Sequence, residues 1–138
     1  MAGKSTGLAW TTLSIDDSGG TVRAIKNDIQ SFQFALPRGV LDVTGVDKSA
    51  IERLLLLADF SITLTTTAIN FDAAPSFWDC FHDVPTTSVA RTTTLVFASK
   101  TLAPEVLYTD FNVTRGQDGS LGATVPGVLS NGTAPTWA

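Results

Sequence analysis

The amino-acid sequence predicts a mainly β fold: antiparallel β-sandwich or barrel-like sheets with one or two short flanking α-helices. Three observations carry this. From Asp59 to Phe71 (DFSITLTTTAINF), Phe60, Ile62 and Leu64 alternate with Ser61, Thr63, Thr65 and Thr67, the period of two of a half-buried strand. Other extended stretches, bringing the total to six or seven, are bounded by Gly, Pro, Asn and Asp turn signals. Strand-like and helix-like stretches do not alternate regularly, which excludes a parallel βαβ sheet.

In chain order, residues 1–7 are small and polar and are expected to form a flexible arm. Leu8–Ile15 reads as a first strand, Asp16–Gly20 as a turn and Thr21–Lys26 as a second, short strand, together a hairpin. Ile29–Leu36 is a third strand with Phe32, Phe34 and Leu36 on one side, ended by Pro37-Arg38-Gly39. A loop or extended piece follows through Val40–Gly45. Ser49 and Glu52 have capping-box spacing, with Asp47 a competing N-cap. Ile51, Leu54, Leu55 and Ala58 then recur at helical spacing and predict a first helix, whose apolar surface Leu56 and Leu57 widen beyond one stripe. That helix must be deeply buried or covered by a neighbour.

After the Asp59–Phe71 strand, Asp72–Pro75 is expected to open a second helix with Pro75 at its first position and Val84-Pro85 closing it. Phe77, Cys80, Phe81 and Val84 would share its inner face. Thr86–Ser99 holds a strand with Thr93, Leu95 and Phe97 aligned, and Lys100–Pro104 a turn. Glu105–Thr114 reads as one long strand facing the core through Leu107, Phe111 and Val113. Arg115–Ser120 contains an Asp-Gly hairpin signal. Leu121–Val128 returns with Leu121, Ala123 and Val125 inward, and Pro126 predicts an edge position or an early end. Residues from about 129 to 138 form a second arm, so the chain reads as one domain spanning 1–138.

The chain is 138 residues long, enough for one domain with a core. It is 43% hydrophobic but only 16% charged, where about 25% is usual. So few charges imply a surface covered by something, most simply by copies of itself. The net charge of −4 argues against a generic nucleic-acid clamp, which would be basic, though not against a passage that must not hold nucleic acid. Met1–Trp10 lacks the apolar run of a signal peptide, and the single cysteine, Cys80, permits no intramolecular disulfide. Both point to a reducing compartment.

Chemistry finds little footing. Gly3-Lys4-Ser5-Thr6 has the last residues of a phosphate loop but neither the upstream glycine nor a preceding strand. Cys80 and His82 are two apart, which on a helix sends them to different sides, the first to the core and the second to the surface. Asp72, Asp79 and Asp83 are the best acidic cluster, yet a calcium site needs more oxygen ligands in a turning loop. No nucleophile, base and positioning group assemble, so no enzyme, no metal and no cofactor is expected. Trp10, Trp78 and Trp137 could form a sugar-binding platform. Trp10 and Trp137, beside the two arms where a monomer offers little core, are better read as interface anchors.

Val43–Asp59 (VTGVDKSAIERLLLLAD), its continuation FSITLT, the block Leu107–Pro126 (LYTDFNVTRGQDGSLGATVP) and the ending VLSNGTAPTW resemble the tail tube, or major tail, protein of long-tailed double-stranded DNA bacteriophages. The resemblance runs from about Ile29 onward and rests on overall pattern and order, with no catalytic motif. It implies two packed antiparallel sheets with a flanking helix. It also implies hexameric rings of this chain, stacked into a hollow tube in which one sheet of each copy joins a continuous barrel. The implied partners are other copies of itself, a tape-measure protein, a tail terminator and tail-tip proteins. DNA would pass through the lumen without specific binding, and no membrane is involved. The implied location is the virion tail, assembled in the host cytoplasm. The candidate contact residues are Trp10, Arg38, Leu56, Leu57 and Trp137, with Thr63, Thr65 and Thr67 facing the lumen or a neighbouring subunit. Two other readings stand beside it: a tail terminator or head–tail joining protein forming a single ring, and a carbohydrate- or receptor-binding β-sandwich.

Overall fold

The computed structural model describes residues 3–71 and 76–138. Its strands are β1 (Trp10–Asp16), β2 (Val22–Ala24), β3 (Ser31–Ala35), β4 (Arg38–Asp42), β5 (Arg53–Ala58), β6 (Ser61–Thr66), β7 (Arg91–Phe97), β8 (Lys100–Leu102), β9 (Glu105–Tyr108), β10 (Asn112–Arg115) and β11 (Leu121–Leu129). One short helix, α1 (Phe77–Phe81), lies between β6 and β7. All strand ladders are antiparallel.

β2, β1, β7 and β8 form one half of the main sheet, and β10, β11, β6 and β3 the other. β9 joins the halves by pairing with β7 through Arg91 and Thr92 and with β11 through Gly127–Leu129. The halves fold face to face over one core. Leu13 and Ile15 of β1, Leu95 of β7, Phe60, Ile62 and Leu64 along β6, and Val125 of β11 are buried there together. The alternation that predicts β6 is borne out, with Ser61 and Thr63 exposed between fully buried neighbours.

Helix α1 seals one side of this core with Phe77, Cys80 and Phe81. Ser76 caps it, its Oγ accepting from the Asp79 amide at 3.3 Å. The expected opening at Asp72–Pro75 lies outside the described residues, and at the far end the helix stops at Phe81, ahead of Val84-Pro85. Asp28 accepts from the Phe77 amide at 3.1 Å, tying the helix start to the segment before β3. Arg91, only 2% exposed, pairs with Asp83 at 2.8 Å.

Four expectations are corrected. The helix over Ile51–Ala58 is a strand: β5 pairs with β4, and β4 takes up residues 40–42 of the stretch expected as a loop or extended piece. Four successive leucines satisfy a strand as readily as a helix, and Ser49 and Glu52 do not form a box. The Glu52 amide instead donates to the Thr44 hydroxyl at 2.8 Å across the hairpin tip. The turn at Lys100–Pro104 is β8, and the chain reverses one step earlier, at Ala98, whose φ is 54°.

The long strand Glu105–Thr114 is broken into β9 and β10 by Thr109–Phe111. Val106 and Tyr108 face the core, while Leu107 and Val113 are exposed. Finally, β11 runs through Pro126 as an inner strand between β6 on one side and β9 and β10 on the other. The Pro126 carbonyl accepts from the Thr109 amide, so the N–H that proline lacks would point at the break between β9 and β10.

Candidate assembly surfaces

Every residue from Leu36 to Leu57 is exposed. The β4–β5 hairpin therefore stands off the body, and nine of the exposed large apolar side chains lie within it. Leu57 is 91% exposed and Val46, at the tip, is fully exposed. Monomeric proteins rarely leave an apolar patch this large in water. The register runs Arg38↔Ala58 and then Val40↔Leu55, so Leu56 and Leu57 face the single residue Gly39 in a β-bulge. The bulge leaves strand carbonyls free, and Arg38 answers them: its Nε donates to the Leu56 carbonyl at 2.8 Å and its Nη2 to that of Leu55 at 3.4 Å. Of the sequence-predicted contacts, Arg38, Leu56 and Leu57 are thus brought together, though on a strand hairpin. The residues sequence reasoning missed are Val40 and Leu41 on β4. Their signal was an apolar pair just upstream of a leucine run too long for one stripe.

Trp10 and Trp137 lie elsewhere, and neither lacks a core as expected. Trp10 packs against Phe32 with ring centroids 4.6 Å apart and planes tilted by 47°, Lys26 lies over its ring, and Phe32, Phe34, Phe60, Phe97 and Trp137 continue one aromatic cluster between the two halves. Trp137 remains 48% exposed. It is held by a bridge to Leu102 and by paired backbone bonds between Thr101 and Ala138. Trp78 is stacked on the His82 ring at 4.1 Å on the surface of α1, far in sequence from the other two. No platform of three tryptophans exists.

Thr63 and Thr65 lie on the outward face of the β10-β11-β6-β3 half. Cross-strand register places Gln33 and Pro126 beside Thr63, and Ser31 and Thr124 beside Thr65. With Ala35, Ser61, Val128, Asn112 and Thr114 at the other outward positions, the face carries hydroxyls, amides and small apolar groups but no charge. Thr67, past the strand end, is held by Gln30, whose Oε1 accepts from its amide at 3.0 Å and from its hydroxyl.

The chemically active residue types are used structurally. Cys80 is buried, and burial pushes its thiol up to about 12. Burial also pushes Asp83 up, but hydrogen bonds from Ser18 and Arg91 and the Arg91 charge outweigh it and hold this carboxyl below its ordinary value. Asp79 lies at the first turn of α1, and Asp72 is outside the described residues. Among the described residues no group of three or more His, Cys, Asp or Glu side chains could hold a metal ion. Thr6 caps a single turn at Gly7–Ala9, so the Gly3–Thr6 stretch leads into a turn and then β1.

No protein-family model matches the chain, and no curated protein matches it by sequence. Solved structures do. A chain of the tail of an empty GTA particle, refined helically with C6 symmetry, superposes with a TM-score of 0.70 at 12% identity, covering 98% of this chain and 99% of that one. A chain of the virion of a native gene transfer agent (GTA) particle superposes at 0.69 and 12%, with the same coverage. What this chain shares with both is the fold, from one end to the other.

Proposed function

We infer that this protein is a structural component of a phage-like tail: a tail tube subunit whose copies form rings that stack around a passage for DNA. The observation that carries the reading is the pair of open sheet edges. Among the described residues, both β10 and β3 have an unpaired side in the half-sheet β10-β11-β6-β3. Successive strands alternate in direction, so β10 and β3 run oppositely. The β3 edge of one copy can therefore pair antiparallel with the β10 edge of the next, and repetition closes a barrel without a free edge. With the six-fold symmetry of the similar tail, four strands from each of six copies would give twenty-four strands. That exceeds the sixteen to eighteen that already leave an aqueous channel.

The charge-free face bearing Thr63 and Thr65 then lines the passage, where it offers DNA phosphates no cation to hold. The bare hairpin supplies contacts between rings. The likeness to chains of a C6 tail supports this over a glycan-binding module, and the chain's work is self-assembly without catalysis.

Negative-stain electron microscopy of the purified chain across a concentration series tests the reading. Hollow tubes or stacked rings are expected. A monomer at high concentration would overturn it, and rings that never stack would favour a terminator or joining protein.

A further inference from the structure

We propose that Asn131-Gly132, the turn joining β11 to the closing segment of the chain, is a site of spontaneous modification: it converts through a cyclic imide to isoaspartate, and that conversion frees residues 133–138 from β8. This stands apart from the tube reading above. The chain carries four asparagines, and only Asn131 is followed by glycine. Asn27 precedes Asp28, Asn70 precedes Phe71 and Asn112 precedes Val113.

In the reaction the Gly132 amide nitrogen attacks the side-chain carbonyl carbon of Asn131. A bond forms between that nitrogen and Cγ, and the bond from Cγ to Nδ2 breaks. Nδ2 leaves as ammonia, taking the proton that the Gly132 nitrogen gives up. Water then opens the imide. Cleavage on the Cγ side gives aspartate. Cleavage on the side of the Asn131 backbone carbonyl gives isoaspartate, whose main chain runs through the former side chain. Water is the sole co-reactant.

The turn leaves this attack open. Asn131 and Gly132 are exposed, and a Cβ on Gly132 would meet nothing within 4 Å, so nothing crowds the nitrogen. Among the described residues no acceptor takes the Gly132 amide, so attack breaks no hydrogen bond. The Asn131 Oδ1 accepts from the Thr133 amide at 3.1 Å, which polarises the side-chain carbonyl and holds it against the turn backbone. Asp118-Gly119 has the same side-chain bond, with Oδ1 accepting from the Ser120 amide at 3.0 Å. There, however, the Gly119 amide is engaged with the Gly116 carbonyl at 3.1 Å. Bonds from Ser120 also hold the Asp118 carboxyl below its ordinary value, and a carboxylate is a poor electrophile.

The turn spans two fixed points. Before it, the Ser130 amide donates to the Glu105 carbonyl at 3.0 Å. After it, Trp137 bridges to Leu102, and Thr101 and Ala138 exchange backbone bonds of 3.0 and 2.8 Å. The main-chain length between these points sets the register of the closing segment on β8. Isoaspartate adds a carbon to that main chain and moves the free carboxylate onto Cα, away from the place of Oδ1. Aspartate does neither, since its carboxylate still accepts from Thr133.

The test incubates the purified chain in heavy-oxygen water, folded and, in parallel, unfolded in guanidinium chloride. Peptide mass spectrometry, with fragmentation that separates isoaspartate from aspartate, maps the products. The folded chain should exchange amide for acid at Asn131 several-fold faster than at Asn27, Asn70 or Asn112. The product should carry heavy oxygen and include isoaspartate. Hydrogen exchange at Thr101 and Ala138 should be several-fold faster in the converted chain than in the fresh one. Asn131→Asp, which carries the charge on an unaltered main chain, should exchange like the fresh chain. Asn131 left intact in the folded chain after the unfolded chain has converted would overturn the site. Exchange unchanged by conversion, or raised equally by Asn131→Asp, would overturn the release from β8.

Discussion

Leu56 lies across Gly39: a Cβ on Gly39 would meet Leu56 Cδ1 at 3.3 Å, yet Leu56 is still 45% exposed. The side chain is held by its own hairpin and free on its outer side. Leu56→Asp should therefore leave folding stability within about 0.5 kcal/mol of wild type, the usual range for an exposed site. It should abolish polymerisation. Melting temperature together with sedimentation checks both halves, and a variant that still makes normal tubes would rule the contact out.

Arg91 and Asp83 set the acid limb of stability. A carboxyl held below its ordinary pKa contributes stability above the unfolded value, near 3.9, and loses it as pH falls through the lower folded value. Asp17 is held down in the same sense: burial raises it, but bonds from the Thr21 amide and Arg23 prevail. Asp28 and Asp16 are raised, each mainly by burial, so acidification first relieves them. Stability should rise slightly as pH drops toward the ordinary carboxylate range and then fall below it. Asp83→Asn should cost about 3–5 kcal/mol by stranding a buried guanidinium, and should blunt the acid fall. Urea denaturation across a pH series reads both.

Ala98 turns the chain between β7 and β8 with φ 54°, a conformation a Cβ resists. Ala98→Gly should stabilise the protein by about 0.5–1 kcal/mol, net of glycine's greater unfolded freedom. An unchanged or lower denaturation midpoint would contradict this.

Gly127 has the opposite need. A Cβ there would lie 2.6 Å from Val106 Cγ1 and 3.0 Å from the Tyr108 ring. Gly127→Ala should cost about 1–3 kcal/mol through overpacking at the junction of β9 and β11.

Cys80 should be silent toward thiol reagents in the native state, being buried with its thiol pushed up to about 12. Labelling followed by mass spectrometry should show no adduct until denaturant is added. Rapid native labelling would mean that α1 opens.

The β6 strand was legible because burial alternates with every residue, from Phe60 through Leu64. Hairpin turns at Asp16–Gly20 and Arg115–Ser120 were legible too, since Gly20 and Gly119 take the positive φ their turns need. The leucine run was not, because Leu54–Leu57 fits both periods and no core patterns it. Its partner strand, β4, settles the matter, and a partner is a fact of tertiary structure. Leu56 and Leu57, expected on a helix, lie exposed on a strand instead. The inner position of Pro126 was hidden likewise, since only the break at Thr109–Phe111 makes room for it.

Pro126 has a consequence for strand slippage. Sliding β11 by two residues against its neighbours would keep Ala123 and Val125 pointing inward, so burial alone tolerates the error. Any such slide carries the one residue without an amide proton away from the break and opposite a carbonyl of β9 or β10, which would then go unanswered. A proline inside a sheet, usually a defect, here acts as a pawl that lets the strand seat at one notch.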